Sequence, residues 1–88
     1  MLVYLRSGHG FKNDMRLANC VGVIDSDYVG EVMVKLTHDN YSSYPDWPFV
    51  GDRVAQAMLV KLPNVEIEEV ETLQETTRGA GGFGSTGA

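Results

Sequence analysis

The sequence predicts an all-β fold, and three observations carry that prediction. Short apolar stretches keep the two-residue period of strands. Clusters of Gly, Pro, Asn and Asp punctuate them. No stretch sustains the 3.6-residue period of an amphipathic helix.

Leu2 to Leu5 form a short apolar strand, and Arg6 to Asn13, around Gly8 and Gly10, read as a polar loop. Met15 to Val23 read as a second strand that runs into a tight hairpin, Gly22-Val23-Ile24-Asp25-Ser26-Asp27-Tyr28-Val29-Gly30-Glu31. Val23 and Ile24 lead in, Ser26-Asp27 suit the turn, and Glu31 to Thr37 return. On the return strand Val32, Val34 and Leu36 share one face, and Glu31, Met33, Lys35 and Thr37 share the other. Residues 38–49 form a long loop holding Pro45, Trp47 and Pro48, and Gly51-Asp52 is a turn. Val54 to Leu62 is a strong strand that Pro63-Asn64 ends. Val65 to Val70 alternates apolar with acidic residues, so one of its faces is wet. From Glu71 the pattern vanishes. Residues 1–70 are thus one partial β domain, and 71–88 a flexible C-terminal arm. That arm ends in Arg78-Gly79-Ala80-Gly81-Gly82-Phe83-Gly84-Ser85-Thr86-Gly87.

Eighty-eight residues make one small domain at most. Such a chain buries only about 60–65% of its unfolded surface, so its core needs disulfides, metal or oligomerisation. Cys20 is the only cysteine, which removes the intrachain disulfide, and no Cys/His cluster suggests structural zinc. Partner chains, or a further piece of chain, are the remaining route. A lone Cys suits a reducing, cytoplasmic setting. A formal charge of −5 argues against general nucleic-acid binding but permits a phosphate ligand where local Arg groups and Mg²⁺ reverse the field. No apolar run reaches the length of a membrane span, and Met1-Leu2-Val3-Tyr4-Leu5 lacks the basic start of a signal peptide.

Two parts of the chain carry chemistry. Asp25 and Asp27 lie two apart, on one side if the backbone is extended, and a carboxylate fixed on a rigid hairpin can activate a water. Tyr28 can offer a flat wall to a ring. The commoner role of an Asp in such a place is turn formation, and Asp27 is assigned that role. In the arm, Gly79, Gly81 and Gly84 spell GxGxxG. The dinucleotide reading also needs a strand before, a helix after and an acidic residue about 20 positions on, a frame this sequence lacks. The phosphate-loop pattern fails because Ser85 stands where Lys is required. Glycines still let backbone N–H groups approach phosphate, Arg78 brings a bidentate fork, Ser85 and Thr86 bring hydroxyls, and Phe83 brings a stacking face. A plain linker, the usual fate of a Gly-rich terminus, would favour Gly and Ser alone.

Four motifs occur in order: Arg6-Ser7-Gly8; Asn19 with Gly22 to Glu31; Gly51-Asp52-Arg53-Val54-Ala55-Gln56; and Arg78 to Gly87. This series resembles the deoxyuridine triphosphatases (dUTPases) of the trimeric type, from Leu5 to the end of the chain. The family's first motif, Ala-Gly-x-Asp-Leu, has no counterpart, and Leu5 stands where the family usually has Pro. The resemblance therefore implies the C-terminal part of a distorted jelly-roll (dUTPase-like β-clip), with the first motif supplied by further chain or a second polypeptide. It also implies a homotrimer with shared active sites, closed by the C-terminal arm.

The resemblance further implies hydrolysis of dUTP to dUMP and pyrophosphate. Asp25 would be the general base and Gln56 would position the attacking water. Arg6, Ser7 and Gly8 would hold the phosphate chain. Asn19 and the backbone at Val23, Ile24 and Met33 would read uracil, and Tyr28 would pack under the deoxyribose. Arg78, Gly84 and Ser85 would grip the γ-phosphate while Phe83 stacks over uracil. Mg²⁺ would be held through the phosphates, with no direct protein ligand. Lys12 adds positive potential near Arg6. His9, His38 and Trp47 are assigned no role, Asp52 and Arg53 a structural one, and Glu66, Glu68, Glu69 and Glu71 a solvated face. The isolated chain, without the first motif, is expected to be inactive. Two alternatives share the fold: a dCTP deaminase relative, against which the Asp25 to Tyr28 hairpin counts, and a non-catalytic dUTP-binding regulator.

Overall fold

The computed structural model describes residues 1–40 and 47–87. Among the described residues there are five short strands and one helix: β1 (Leu2–Leu5), α1 (Ser7–Asn13), β2 (Met15–Leu17), β3 (Gly22–Val23), β4 (Leu36–His38) and β5 (Ala55–Met58). Two antiparallel sheets result, one ordered β3-β1-β5 and the other β2-β4. The all-β expectation thus holds, with one seven-residue helix added.

β1 is the organising strand. Val3 stands opposite Gly22 on one side and Ala57 on the other, and Leu5 stands opposite Ala55. A Cβ on Gly22 would lie 3.3 Å from the Val3 Cβ, so the absent side chain lets β3 close on β1. The core is small: Val3, Met15 and Leu17 are 5%, 3% and 2% exposed. β2 and β4 are tied on their polar side by Arg16. Its Nε donates to both carboxylate oxygens of Asp39 at 3.0 and 2.9 Å, and Asp39 raises the guanidinium pKa above its ordinary value through that hydrogen bond and the adjacent charge.

Four expectations are corrected. Residues 7–13 are a helix rather than a loop. Arg6 enters it in extended geometry, and Asp14 ends it in left-handed geometry with its N–H on the His9 carbonyl. Gly8 and Gly10 each cost a helix about 1 kcal/mol, which hid it from a periodicity reading. The strand expected over 15–23 breaks after Leu17. Cys20 takes a φ of 64°, its N–H bonds to the Leu17 carbonyl at 2.8 Å, and the chain restarts at β3. The two arms of the expected hairpin pair elsewhere, β3 with β1 and β4 with β2. Its tip survives as a turn, with the Tyr28 N–H on the Asp25 carbonyl at 3.2 Å, so Asp25 and Asp27 do not follow strand alternation. The strands expected over 31–37 and 54–62 shorten to β4 and β5.

The turn at 51–52 is as expected. The Asp52 N–H bonds to the Phe49 carbonyl at 3.0 Å, and Gly51 supplies the φ of 96° that this turn demands. The 41–46 part of the expected 38–49 loop, including Pro45, lies outside the described residues. No helix among the described residues is long and apolar enough to cross a membrane.

Candidate active site

The clearest cavity, about 320 Å³, opens where β1 hands over to α1. Arg6, Ser7, Gly8, His9, Lys12, Asn13 and Gln56 line it. Three backbone and side-chain ties shape its mouth. The Arg6 N–H donates to the Val54 carbonyl at 3.0 Å, the His9 Nε2 donates to the Arg53 carbonyl at 3.2 Å, and the Gln56 amide donates to the Leu5 carbonyl at 3.3 Å. A carbonyl only accepts, so the His9 proton sits on Nε2. Two full cations, hydroxyl and amide groups, and no carboxylate form this wall. That donor set suits an anionic chain of oxygens.

His9 and Asn13 were not anticipated here. Read as a loop, 6–13 gave no spacing to use. Read as a helix, His9 and Asn13 are four apart, the spacing at which helical side chains meet. The unpaired, buried Nδ1 of His9 belongs to this packing.

A second cavity, about 340 Å³, lies at the opposite end of β1 and is lined by Met1, Leu2, Val23, Ile24, Asp25, Ser26, Val60 and Leu62. Here an exposed carboxylate stands beside an apolar wall. The Ile24 N–H donates to the Met1 carbonyl at 2.8 Å, and the Met1 ammonium donates to the Ile24 carbonyl at 2.7 Å. Both Ile24 peptide groups are therefore committed within the chain. In an antiparallel pair the next residue's groups point the other way, so the Val23 N–H and C=O face away from β1. Val23 is the hairpin residue with backbone groups turned toward an open edge.

The remaining expected residues are placed apart from both cavities. Asn19 is exposed in the 18–20 turn, whose Ala18 carbonyl accepts from Arg16 Nη1 at 3.1 Å. Met33 is exposed on the segment before β4. Tyr28 is half exposed, and its hydroxyl donates to the Glu31 carbonyl at 2.6 Å. In the arm, Arg78 Nε donates to the Gly81 carbonyl at 2.7 Å, while Gly84 takes a φ of 91° and Phe83 projects fully into solvent. The Ser85 N–H bonds to the Gly82 carbonyl at 3.1 Å. The arm is folded on itself as a string of turns that presents Phe83 outward.

Asp25 and the Arg6 cavity sit at opposite ends of one strand. Asp25 follows Ile24, which is bonded to Met1, and Arg6 follows Leu5. The extended chain from Met1 to Arg6 spans roughly 16 Å. Asp25 and Ser7 have short side chains, and within a single copy they line different cavities.

Comparison with known proteins follows the same residues. A family model described as dUTPase matches residues 2–87. A deoxyuridine 5'-triphosphate nucleotidohydrolase of Acinetobacter baumannii is 48% identical over 86 residues, covering 98% of this chain and 56% of that protein. The protein of that name from Finegoldia magna is 47% identical over 85 residues, covering 93% and 56%. That from Acinetobacter baylyi is 45% identical over 86 residues, covering 98% and 56%. The chain spans about half the length of the curated relatives it matches.

Proposed function

The chain belongs to the dUTPase family, an all-β family of jelly-roll type, and on that premise we propose that it carries the phosphate-holding, base-reading and lid segments of a dUTP diphosphatase. The observation that supports this most directly is the convergence of Arg6, Ser7, Gly8 and Gln56 on one cavity. These residues are 50 positions apart in sequence at the extremes, and β1 pairing with β5 brings them together.

In this reading, Arg6, Lys12 and the Ser7 hydroxyl hold the triphosphate in the cavity. Asp25, from a second copy of the chain, accepts a proton from water. The water oxygen forms a bond to the α-phosphorus as the bond from that phosphorus to the bridging oxygen breaks. Pyrophosphate leaves and dUMP remains. Gln56 orients the water from the phosphate side. Arg6, Lys12 and the Ser7 hydroxyl would hold the phosphates directly, and a hard divalent cation such as Mg²⁺, held through those phosphate oxygens rather than by a protein ligand, would supply further charge neutralisation. Uracil pairs with the Val23 backbone at the open edge of β3, with Asn19 and Met33 completing the base pocket. Tyr28 forms the wall under the sugar. Ile24 contributes its side chain to the pocket wall rather than its peptide groups. The arm from Arg78 to Ser85 closes over the site of a neighbouring copy, with Phe83 stacking on the base.

Substrate preference tests the reading. Supplied with the first-motif segment, as for every activity measurement that follows, the protein is expected to release pyrophosphate from dUTP with Mg²⁺ and to turn over dTTP far more slowly. One methyl against a close wall is worth ~1–3 kcal/mol, and hydrogen-bond reading of a base edge reaches ~10⁴-fold. Equal release from dUTP and dTTP would contradict the base pocket.

A further inference from the structure

Gly30 lies outside every role assigned so far, yet it is the most crowded glycine in the chain. A Cβ built there would lie 2.6 Å from the Tyr28 hydroxyl oxygen, 2.7 Å from its Cζ and 3.1 Å from its Cε2. These are distances that carbon atoms do not adopt without something moving. The φ of Gly30 is outside the left-handed region, so its backbone does not itself require glycine. What requires it is the ring. Tyr28 folds back over the Gly30 peptide, and its hydroxyl is pinned to the Glu31 carbonyl at 2.6 Å. One edge of the ring is thus seated on bare backbone and its tip is tethered, while the residue as a whole stays half exposed.

We propose that Gly30 is a positioning residue for specificity that acts through Tyr28, by letting the outer edge of the ring sit against the backbone as a fixed wall for the sugar. The inference rests on the dUTPase reading of Tyr28 given above. A wall excludes a 2′-hydroxyl only if it cannot swing aside. Crowding from an added methyl falls on the hydroxyl, Cζ and Cε2, all on the outer part of the ring. The hydroxyl and Cζ lie on the Cβ–Cγ axis, so relief requires the whole ring to swing about the Cα–Cβ bond and the Glu31 tether to break. The expected consequence is lost discrimination between deoxyribose and ribose, with little change in folding, because neither residue is buried.

The test is the ratio of kcat/KM for dUTP to that for UTP, measured in four proteins: wild type, Gly30→Ala, Tyr28→Ala and the double variant. Gly30→Ala is expected to lower the ratio roughly tenfold or more, in the range that one misplaced methyl commands. In the Tyr28→Ala background the same substitution is expected to change it less than about twofold, since the ring through which it acts is gone. Tyr28→Phe, which cuts the tether without adding bulk, is expected to lower the ratio as well, and it serves if Gly30→Ala does not fold. An unchanged ratio in Gly30→Ala and Tyr28→Phe would overturn the proposal. So would an equal drop on adding Gly30→Ala to Tyr28→Ala. A wild-type protein that turns over dUTP and UTP alike would instead remove the sugar-wall role of Tyr28, on which the inference stands.

Discussion

At the scale of single residues, the site divides into groups that act by charge and groups that act by leaving space. Asp25 is exposed on a turn and is not used in the core, so its chemistry can be removed without touching the fold. Asp25→Asn is expected to lower pyrophosphate release by about 10²–10⁴-fold with an unchanged melting temperature. A fully active variant would remove Asp25 from the base role. Gly8 makes the opposite point. A Cβ there meets nothing within 4 Å of the chain, and it would stand at the wall of the phosphate cavity. Gly8→Ala is expected to stabilise α1 by up to about 1 kcal/mol, seen as a higher melting temperature, while raising the KM for dUTP. A raised melting temperature with an unchanged KM would show that the phosphate chain does not pass over Gly8. Sequence made the identities at these positions readable, because Arg6-Ser7-Gly8 and Asp25 to Tyr28 stand in an order that resembles a known family. It did not make Gly30 readable as a seat for Tyr28, since a ring that folds back on its own turn leaves no periodic trace.

At the scale of elements, what was legible in the sequence was local, and what was not was pairing. β1, the Gly51 turn and the patternless arm follow from residue type alone. The partners of β3 and β4 do not, because an alternating strand fits any neighbour that offers an apolar face. A tight turn at Asp25 to Tyr28 suggested that its arms pair with each other, and in this chain β1 and β2 take them instead. The helix was lost for a related reason: its two glycines hide the i, i+4 spacing of His9 and Asn13, which line the cavity beside Arg6. The arm is the element whose role is most separable. Its Arg78 is spent on its own turn, and Phe83 faces solvent. Deleting Arg78 onward is therefore expected to leave the melting temperature within about 2 °C while lowering dUTP turnover. A truncation that melts early would make the arm part of the core, and one that keeps full turnover would end its role as a lid.

At the scale of the whole molecule, a single copy is under-packed. Its accessible surface is 8381 Å², where a folded monomer of this length has about 5,100 Å². Its radius of gyration is 19.2 Å against about 12 Å for a compact domain. Leu59, Leu62, Ile67 and Leu73 are each at least 80% exposed, in a segment that follows β5 without joining either sheet. Apolar surface of this extent is covered in a stable protein by further chains or further chain. Asp25 and Arg6 likewise line different cavities within one copy, and the proposed assembly accounts for both features. In the proposed reading, a site made between copies would join the Asp25 end of one chain to the Arg6 end of another.

Complementation between two damaged chains tests this most directly. Asp25→Asn and Arg6→Ala are each prepared as inactive proteins, then mixed in equal amounts, unfolded and refolded together, and assayed for pyrophosphate release from dUTP. If each site draws its acid and its arginine from different copies, random assembly pairs an intact Asp25 with an intact Arg6 in about one site in four, and about a quarter of wild-type activity returns. A mixture as silent as either variant alone, under conditions in which refolded wild type is active, would contradict the account.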